Sequence, residues 1–348
     1  MTTLPYLFGA PVATATLRSC PEDFQVFEDL GFQPSGDGQH MMLEVEKRLL
    51  NSDWVASKIA RLAGVKKRDV GMAGLKDRHA VTRQWFSVDF AGKAPPDWQA
   101  LQEGLREGER LEVLQAEHHH RKIRRGALKG NRFQLLLRDV EGARTDIESR
   151  LQQIQQRGVP NYFGEQRFGR GGANVEKGRQ MFQRSYRPKG RHERGLLLSA
   201  VRSELFNQIC AARIEQDNWD TPLEGEVCML DRKRARFVVE PEDSAIQQRL
   251  QEHEIHLTAP LWGRGALESY GGVAELEQAV AAQFPELTEG LEQAGLEQDR
   301  RSLRLLPDAL QWKWLDEGQL QLNFWLPAGS YATTLLRELV VAEVATDK

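Results

Sequence analysis

Apolar and polar residues alternate through the first third of the chain, and that period predicts strands. PEDFQVFEDL (21–30) reads as a turn and then a strand with Phe24, Val26 and Glu28 on one face. MMLEVEK (41–47) alternates in the same way. Asn51-Ser52-Asp53 offers helix-capping chemistry, and Val55, Ile59 and Leu62 follow at helical spacing. A helix is therefore predicted at 52–63, with Gly64 just beyond its end. Further strands are predicted at WFSVDF (85–90), LEVLQAEHH (111–119) and FQLLLRD (133–139). Ile147, Leu151 and Ile154 mark a helix at 142–156.

The pattern then changes. RGVPNYFGEQRFGRGGAN (157–174) is rich in Gly, Arg and aromatic residues and predicts irregular backbone. Beyond it the spacing becomes mainly helical, with helices predicted at 199–216, 244–252, 275–283 and 297–303 around a small strand, RFVVE (236–240). QLQLNFWL (319–326) returns to strand, PAGS (327–330) makes a turn with Ser330 as N-cap, and YATTLLRELVVAE (331–343) reads as a closing helix. Strand-rich ends flanking a helical middle suggest an α+β domain, 1–157 with 307–348, carrying an inserted domain at 158–306. Two consecutive domains are the competing arrangement. No repeat of fixed period is visible.

A chain of 348 residues suits two cores better than one. The longest apolar stretches fall far short of the ~18 residues of a membrane helix, and the N-terminal segment reads as no secretory signal. Cys20, Cys210 and Cys228 are scattered with no C-x-x-C spacing, which argues against a zinc knuckle, a redox motif or a disulfide framework. A reduced, cytoplasmic protein is expected.

Charge changes the picture more. The net charge of −3 hides a segregation. HHHRKIRRGALKGNR (118–132) holds Arg121, Lys122, Arg124, Arg125, Lys129 and Arg132 and no acid. The segment 157–194 is also strongly basic, with Arg167 and Arg170 in its glycine-rich part, while acids collect between Glu215 and Asp299. Phe133, Tyr162 and Phe168 lie among these cations. Basic stretches interleaved with aromatic rings suit a polyanion whose bases stack, so RNA is the expected partner. A merely solvated charged face is the plainer alternative. GVPNYFGEQRFGRGG fits either an RNA-tracking wall or a hinge between domains.

Several chemistries are excluded by pattern. No P-loop, dinucleotide fingerprint, H-E-x-x-H, G-x-S-x-G or zinc-deaminase signature occurs. His118, His119 and His120 are consecutive and cannot all face one metal. What remains is an acid among cations: Gly74-Leu75-Lys76-Asp77-Arg78-His79. A held carboxylate there can act as nucleophile or base, although Asp in a polar turn commonly has no catalytic role.

Four segments together carry more weight. AGLKDRHAVTRQW (73–85), RRGALKGNRF (124–133), GVPNYFGEQRFG (158–169) and WLPAGSYATTLLRE (325–338) resemble, in order and spacing, the signature segments of the TruD family of tRNA pseudouridine synthases. PEDFQVFEDLGF (21–32) matches the family's N-terminal segment. The resemblance implies a pseudouridine synthase domain with a mostly antiparallel sheet, bearing a mainly helical, family-specific insertion. It implies conversion of uridine 13 in the D-arm of tRNA to pseudouridine, with neither metal nor cofactor. It makes Asp77 the catalytic aspartate, with Lys76, Phe24, Asn131, Phe133 and Tyr331 around the target uracil. Tyr331 departs from the family pattern, which has Phe there, and its hydroxyl needs a partner. Arg121, Lys122, Arg124, Arg125, Lys129, Arg167 and Arg170 are the expected RNA-backbone contacts. A monomer is expected, since no exposed apolar helix face is evident. The resemblance leaves open whether Asp77 attacks C1′, attacks C6 or forms a glycal. A non-catalytic RNA-binding protein on the same scaffold, or a metal-dependent nuclease, would share the basic segments.

Overall fold

A computed structural model describes residues 4–90, 92, 94–240 and 243–344. The chain groups into two compact units. The first, here the sheet unit, comprises Val12–Ser149, Pro307–Gly329 and the chain from Val340. The second, the helical unit, comprises the chain as far as Pro11, Arg150–Leu306 and Ser330–Leu339.

The sheet unit is built on one ten-stranded sheet. Its strands are β1 (Ala13–Leu17), β2 (Phe24–Asp29), β3 (His40–Arg48), β4 (Val70–Met72), β5 (Val81–Asp89), β6 (Arg110–His119) and β7 (Gly130–Glu141). Asp308–Asp316, Gln319–Pro327 and Val340–Val344 complete it. From one edge the order runs Asp308–Asp316, Gln319–Pro327, β7, β2, β5, β3, β6. β4 pairs with β5, and β1 pairs with both β7 and Val340–Val344. Only the β2–β5 and the β1–Val340–Val344 pairings are parallel, so the expected mostly antiparallel sheet is found.

Register decides what faces what. Phe133 lies opposite Val26 on one side and Phe324 on the other, and Asn131 lies opposite Glu28. Side chains at opposed positions share a face, so Phe24, Val26, Glu28, Asn131 and Phe133 stand on the same side of the sheet. Helix α1 (Ser52–Leu62) buries Val55, Ala56 and Ile59 against Leu43, Val45, Phe86, Val88, Leu101 and Leu111. Each large apolar side chain so buried contributes about 1.5–3 kcal/mol. Gly64 ends the helix with φ +62°, the left-handed conformation expected of it.

The helical unit is organised by a 25-residue helix, Arg191–Glu215, beside a four-stranded sheet in the order Arg236–Val238, Val227–Leu230, Ile255–Leu261, Asp299–Ser302. Phe206, Ile209, Cys210, Trp219, Ile255 and Leu257 form its core. Two ion pairs are buried in it: Arg213 with Glu226 at 2.9 Å, and Arg300 with Glu277.

Four local expectations need correction. The helix at 199–216 begins eight residues earlier, at Arg191. The stretch expected to be irregular contains a short helix, Glu165–Phe168, and leads at once into another, Ala173–Phe182. The segment 297–303 is not helical: Asp299–Ser302 is a strand, with Arg300 rather than an apolar residue as its buried position. The closing helix spans Ala332–Leu339 and gives way to the strand Val340–Val344, where β-branched residues pair with β1.

Candidate active site

Asp77 lies in the turn between β4 and β5, outside any helix or strand. Side chains from neighbouring elements fix that turn. Ser52, the first residue of α1, accepts from the Lys76 amide at 3.0 Å and donates to Gln84 Oε1 at 2.7 Å. Gln84 Nε2 in turn donates to the Gly74 carbonyl at 2.5 Å. From β3, the fully buried Lys47 donates to the carbonyls of Asp77, at 2.9 Å, and Leu50, at 2.8 Å. Burial pushes the Lys47 ammonium down to about 8, against the opposing pull of Asp77. Arg78 is turned away and donates to the Leu49 carbonyl at 3.1 Å.

The carboxylate is ion-paired with a cation that is not a sequence neighbour. Arg18 Nη2 donates to Asp77 Oδ2 at 2.9 Å, leaving the Asp77 side chain 34% exposed. The same guanidinium lies 4.0 Å over the ring of Phe24, a cation–π contact that fixes its plane. Arg18 adopts φ +58°, an uncommon backbone for a residue with a Cβ. Lys76, adjacent in sequence, points elsewhere: its Nζ donates to Glu28 Oε1 at 2.6 Å in a buried pair, and Glu28 Oε2 accepts from the Trp85 amide at 2.9 Å.

Phe24 and Phe133 meet edge to face at 6.3 Å, and Phe133 stacks on Phe324 at 5.3 Å. All three rings are buried. Asn131, across from Glu28, has a buried Oδ1 with no hydrogen-bond partner among the described residues. A buried acceptor without a donor costs about 1–3 kcal/mol, so this atom is ready for one. The sheet unit thus gathers Asp77, Lys76, Phe24, Asn131 and Phe133 with three residues the sequence did not single out: Arg18, Glu28 and Lys47. Only Glu28 carried a signal, a charged residue on an otherwise apolar strand face.

Tyr331 belongs to the helical unit. Its hydroxyl accepts from Arg167 Nε at 3.1 Å, and its ring meets Phe163 edge to face at 6.3 Å. Arg167 also donates to Ser199 Oγ at 2.8 Å, so this expected RNA contact is engaged within its own unit. The side chain of Arg170 lies outside the described residues. Arg121, Lys122, Arg124, Arg125 and Lys129 sit on the loop between β6 and β7, with Lys129 over the Trp325 ring at 5.9 Å. Among the described residues no group of three or more His, Cys, Asp or Glu could hold a metal ion, and no helix is long and apolar enough to cross a membrane.

A family model described as tRNA pseudouridine synthase D (TruD) matches residues 2–189 and 182–339. A protein named tRNA pseudouridine synthase D from Nitrosococcus oceani is 48% identical over 343 residues, covering 98% of this chain and 95% of the relative. One of the same name from Methylococcus capsulatus is 48% identical, covering 97% and 94%. Among solved structures, a putative tRNA pseudouridine synthase D from Methanosarcina mazei shares the fold with a TM-score of 0.72 at 22% identity, covering 96% of this chain and 95% of that one.

Proposed function

We propose a reaction from one premise: the chain belongs to the tRNA pseudouridine synthase D (TruD) family. It is an enzyme that isomerises uridine to pseudouridine in tRNA, and its target is uridine 13 of the D-arm, with Asp77 as the catalytic carboxylate. The observation that carries this reading is the held but accessible Asp77: its carbonyl fixed by Lys47, one carboxylate oxygen bound by Arg18, and the side chain still open to solvent.

The chemistry follows from that arrangement. A base inside folded RNA must be extruded before it reacts, at a cost of a few kcal/mol. Stacking recovers about 1–3 kcal/mol per base, and within the sheet unit Phe24 and Phe133 are the proposed aromatic contacts. Asn131 Oδ1, a buried acceptor without a donor, suits the N3–H of a uracil. Asp77 then acts on the nucleotide with the oxygen that Arg18 leaves free. Arg18, not Lys76, is the cation paired with it, since Lys76 is committed to Glu28. The C1′–N1 glycosidic bond breaks, the uracil turns, and a C1′–C5 bond forms; the proton lost from C5 is balanced by one gained at N1. We further read 158–306 as a domain inserted into a catalytic domain of 1–157 and 307–348, in a cytoplasmic monomer that needs neither metal nor cofactor.

The test is pseudouridine mapping on a transcribed tRNA with uridine at position 13, incubated in EDTA with wild type and with Asp77→Asn. Wild type converts that uridine and Asp77→Asn is slower by roughly 10³-fold or more. Conversion by both would remove Asp77 from the mechanism. Conversion by neither, with tRNA still bound, would leave an RNA-binding protein.

A further inference from the structure

The sheet unit holds a cavity of about 910 Å³, lined by Phe32, His40, His119, Arg121, Lys122 and Arg124 among others and not by Asp77. It opens where β3 begins and β6 ends. Lys47, which touches Asp77, is seven residues along β3 from His40, a span of about 23 Å at ~3.3 Å per residue. The near wall is closer, since the Gly126 amide donates to the carbonyl of Ala73 at 2.7 Å, just ahead of the Asp77 turn.

The cavity is built rather than incidental. The 30–39 loop is pinned to the end of β6: the Gly36 amide donates to the His118 carbonyl at 3.0 Å, Ser35 Oγ meets His119 Nδ1 at 3.2 Å, and His118 Nδ1 meets the Gly38 carbonyl at 2.9 Å. A Cβ on Gly38 would stand 2.5 Å from the His119 carbonyl, so only glycine allows that approach. Opposite, the Ile123 amide donates to Ser87 Oγ at 2.9 Å, and Lys122 donates to the Arg68 carbonyl.

What these ties present is a stacking platform beside free cations. Phe32, 42% exposed, stacks on His119 with centroids 5.2 Å apart and planes 21° apart. Burial, with the neighbouring charges of His120, His40 and Arg121, lowers the His119 imidazole below its ordinary value, which favours a neutral ring. The guanidinium groups of Arg121 and Arg124 make no hydrogen bond or ion pair among the described residues, whereas Arg83, Arg110 and Arg138 are paired with acids. His40 is 9% exposed, and its Nδ1 has no hydrogen-bond partner among the described residues. Of the nearby acids, Asp37 is occupied with His120 at 3.1 Å and Asp89 accepts from Gln39 Nε2 at 3.2 Å.

We propose that this cavity binds a second, unpaired nucleotide of the same RNA, its base stacked on the Phe32–His119 pair and its phosphate held by Arg121 and Arg124. The inference rests on the RNA-modifying reading of Asp77 and extends it. An aromatic face beside unpaired guanidinium groups is the chemistry that recognises a splayed base and its phosphate. Holding a distant nucleotide contributes to affinity and register and leaves the chemical step alone.

The test measures single-turnover conversion of the tRNA against enzyme concentration for wild type, Phe32→Ala and Arg121→Gln/Arg124→Gln, with circular dichroism as a folding control. Half-saturation rises about tenfold for Phe32→Ala while the saturating rate is unchanged, and the double variant gives a shallower salt dependence. A scan of single abasic tRNAs then finds one non-target position whose loss weakens wild type but adds nothing to Phe32→Ala. The substituted side chains are exposed, and should Phe32→Ala misfold, Arg124→Gln alone carries the abasic comparison. Unchanged half-saturation in an active, folded Phe32→Ala would overturn the proposal, as would a rise that couples to no abasic position. Displacement of a free mononucleotide without abasic coupling would assign the cavity to that ligand instead. Inactive wild type would refute the catalytic reading, a separate outcome.

Discussion

Arg18 is where residue chemistry and backbone strain coincide. Its left-handed φ costs about 1–2 kcal/mol for a residue with a Cβ, and the fold retains it because one guanidinium serves both Asp77 and the face of Phe24. Arg18→Ala is expected to lower single-turnover conversion by roughly 10²-fold, and Arg18→Lys to restore part of it, since a lysine keeps the charge but not the planar stack. An equal loss in both variants, with unfolding, would make Arg18 merely structural. Lys47 gives a pH signature. Its folded value near 8 lies below the ordinary 10.5, so between those limits the unfolded chain holds a proton that the folded chain does not. Stability therefore rises with pH across about 8 to 10.5, a trend for denaturant titrations to register. Lys47→Met removes the buried charge and flattens that rise, while turnover drops because the Asp77 carbonyl loses its donor.

At the scale of elements, β7 is the strand on which the site depends. Gly130 opens it at a point where a Cβ would lie 2.2 Å from the Trp325 ring and 2.4 Å from the Leu326 carbonyl. Gly130→Ala should displace the start of the strand, costing roughly 1–3 kcal/mol by denaturant midpoint, and should weaken tRNA conversion through the adjacent Asn131. α1 and β7 were legible because their buried faces are apolar at clean periods, β2 through Phe24 and Val26, and β3 and β5 through apolar runs, although both also bury polar side chains such as Lys47, Thr82 and Gln84. Asp299–Ser302 was not, because its buried side chain is Arg300, satisfied by Glu277 from a distant helix. Ile255–Leu261 hides behind Pro260, and Asp308–Asp316 is an edge strand with one exposed face and only Leu310 fully buried on the other, beside the half-buried Trp312 and Trp314. The site divides in the same way. Asp77, Lys76, Phe24, Asn131 and Phe133 were legible through long motifs, while Arg18 and Lys47 reach the Asp77 turn from 59 and 30 residues away with no local pattern to announce them.

For the whole molecule, the two units draw on the chain differently from the sequence reading, which set 1–157 with 307–348. Ten residues at Ser330–Leu339 and the chain as far as Pro11 group with the helical unit. That unit's core relies on charge as well as apolar packing. Arg213→Met would strand Glu226 in its interior and cost about 3–5 kcal/mol, whereas replacing both partners by apolar residues should be nearly neutral; calorimetry of the two variants separates these outcomes. The sheet unit, in contrast, is assembled from separate stretches: β7 lies between β2, which precedes it, and Gln319–Pro327, which follows the helical stretch Arg150–Leu306, and β1 pairs with Val340–Val344. On the ribosome, β7 must therefore wait through nearly two hundred residues of synthesis with one flank open, a flank that invites association with other chains. The sheet that holds the Asp77 turn is completed only after the helical stretch Arg150–Leu306 has been made, so β7 needs cover on that flank until Gln319–Pro327 follows.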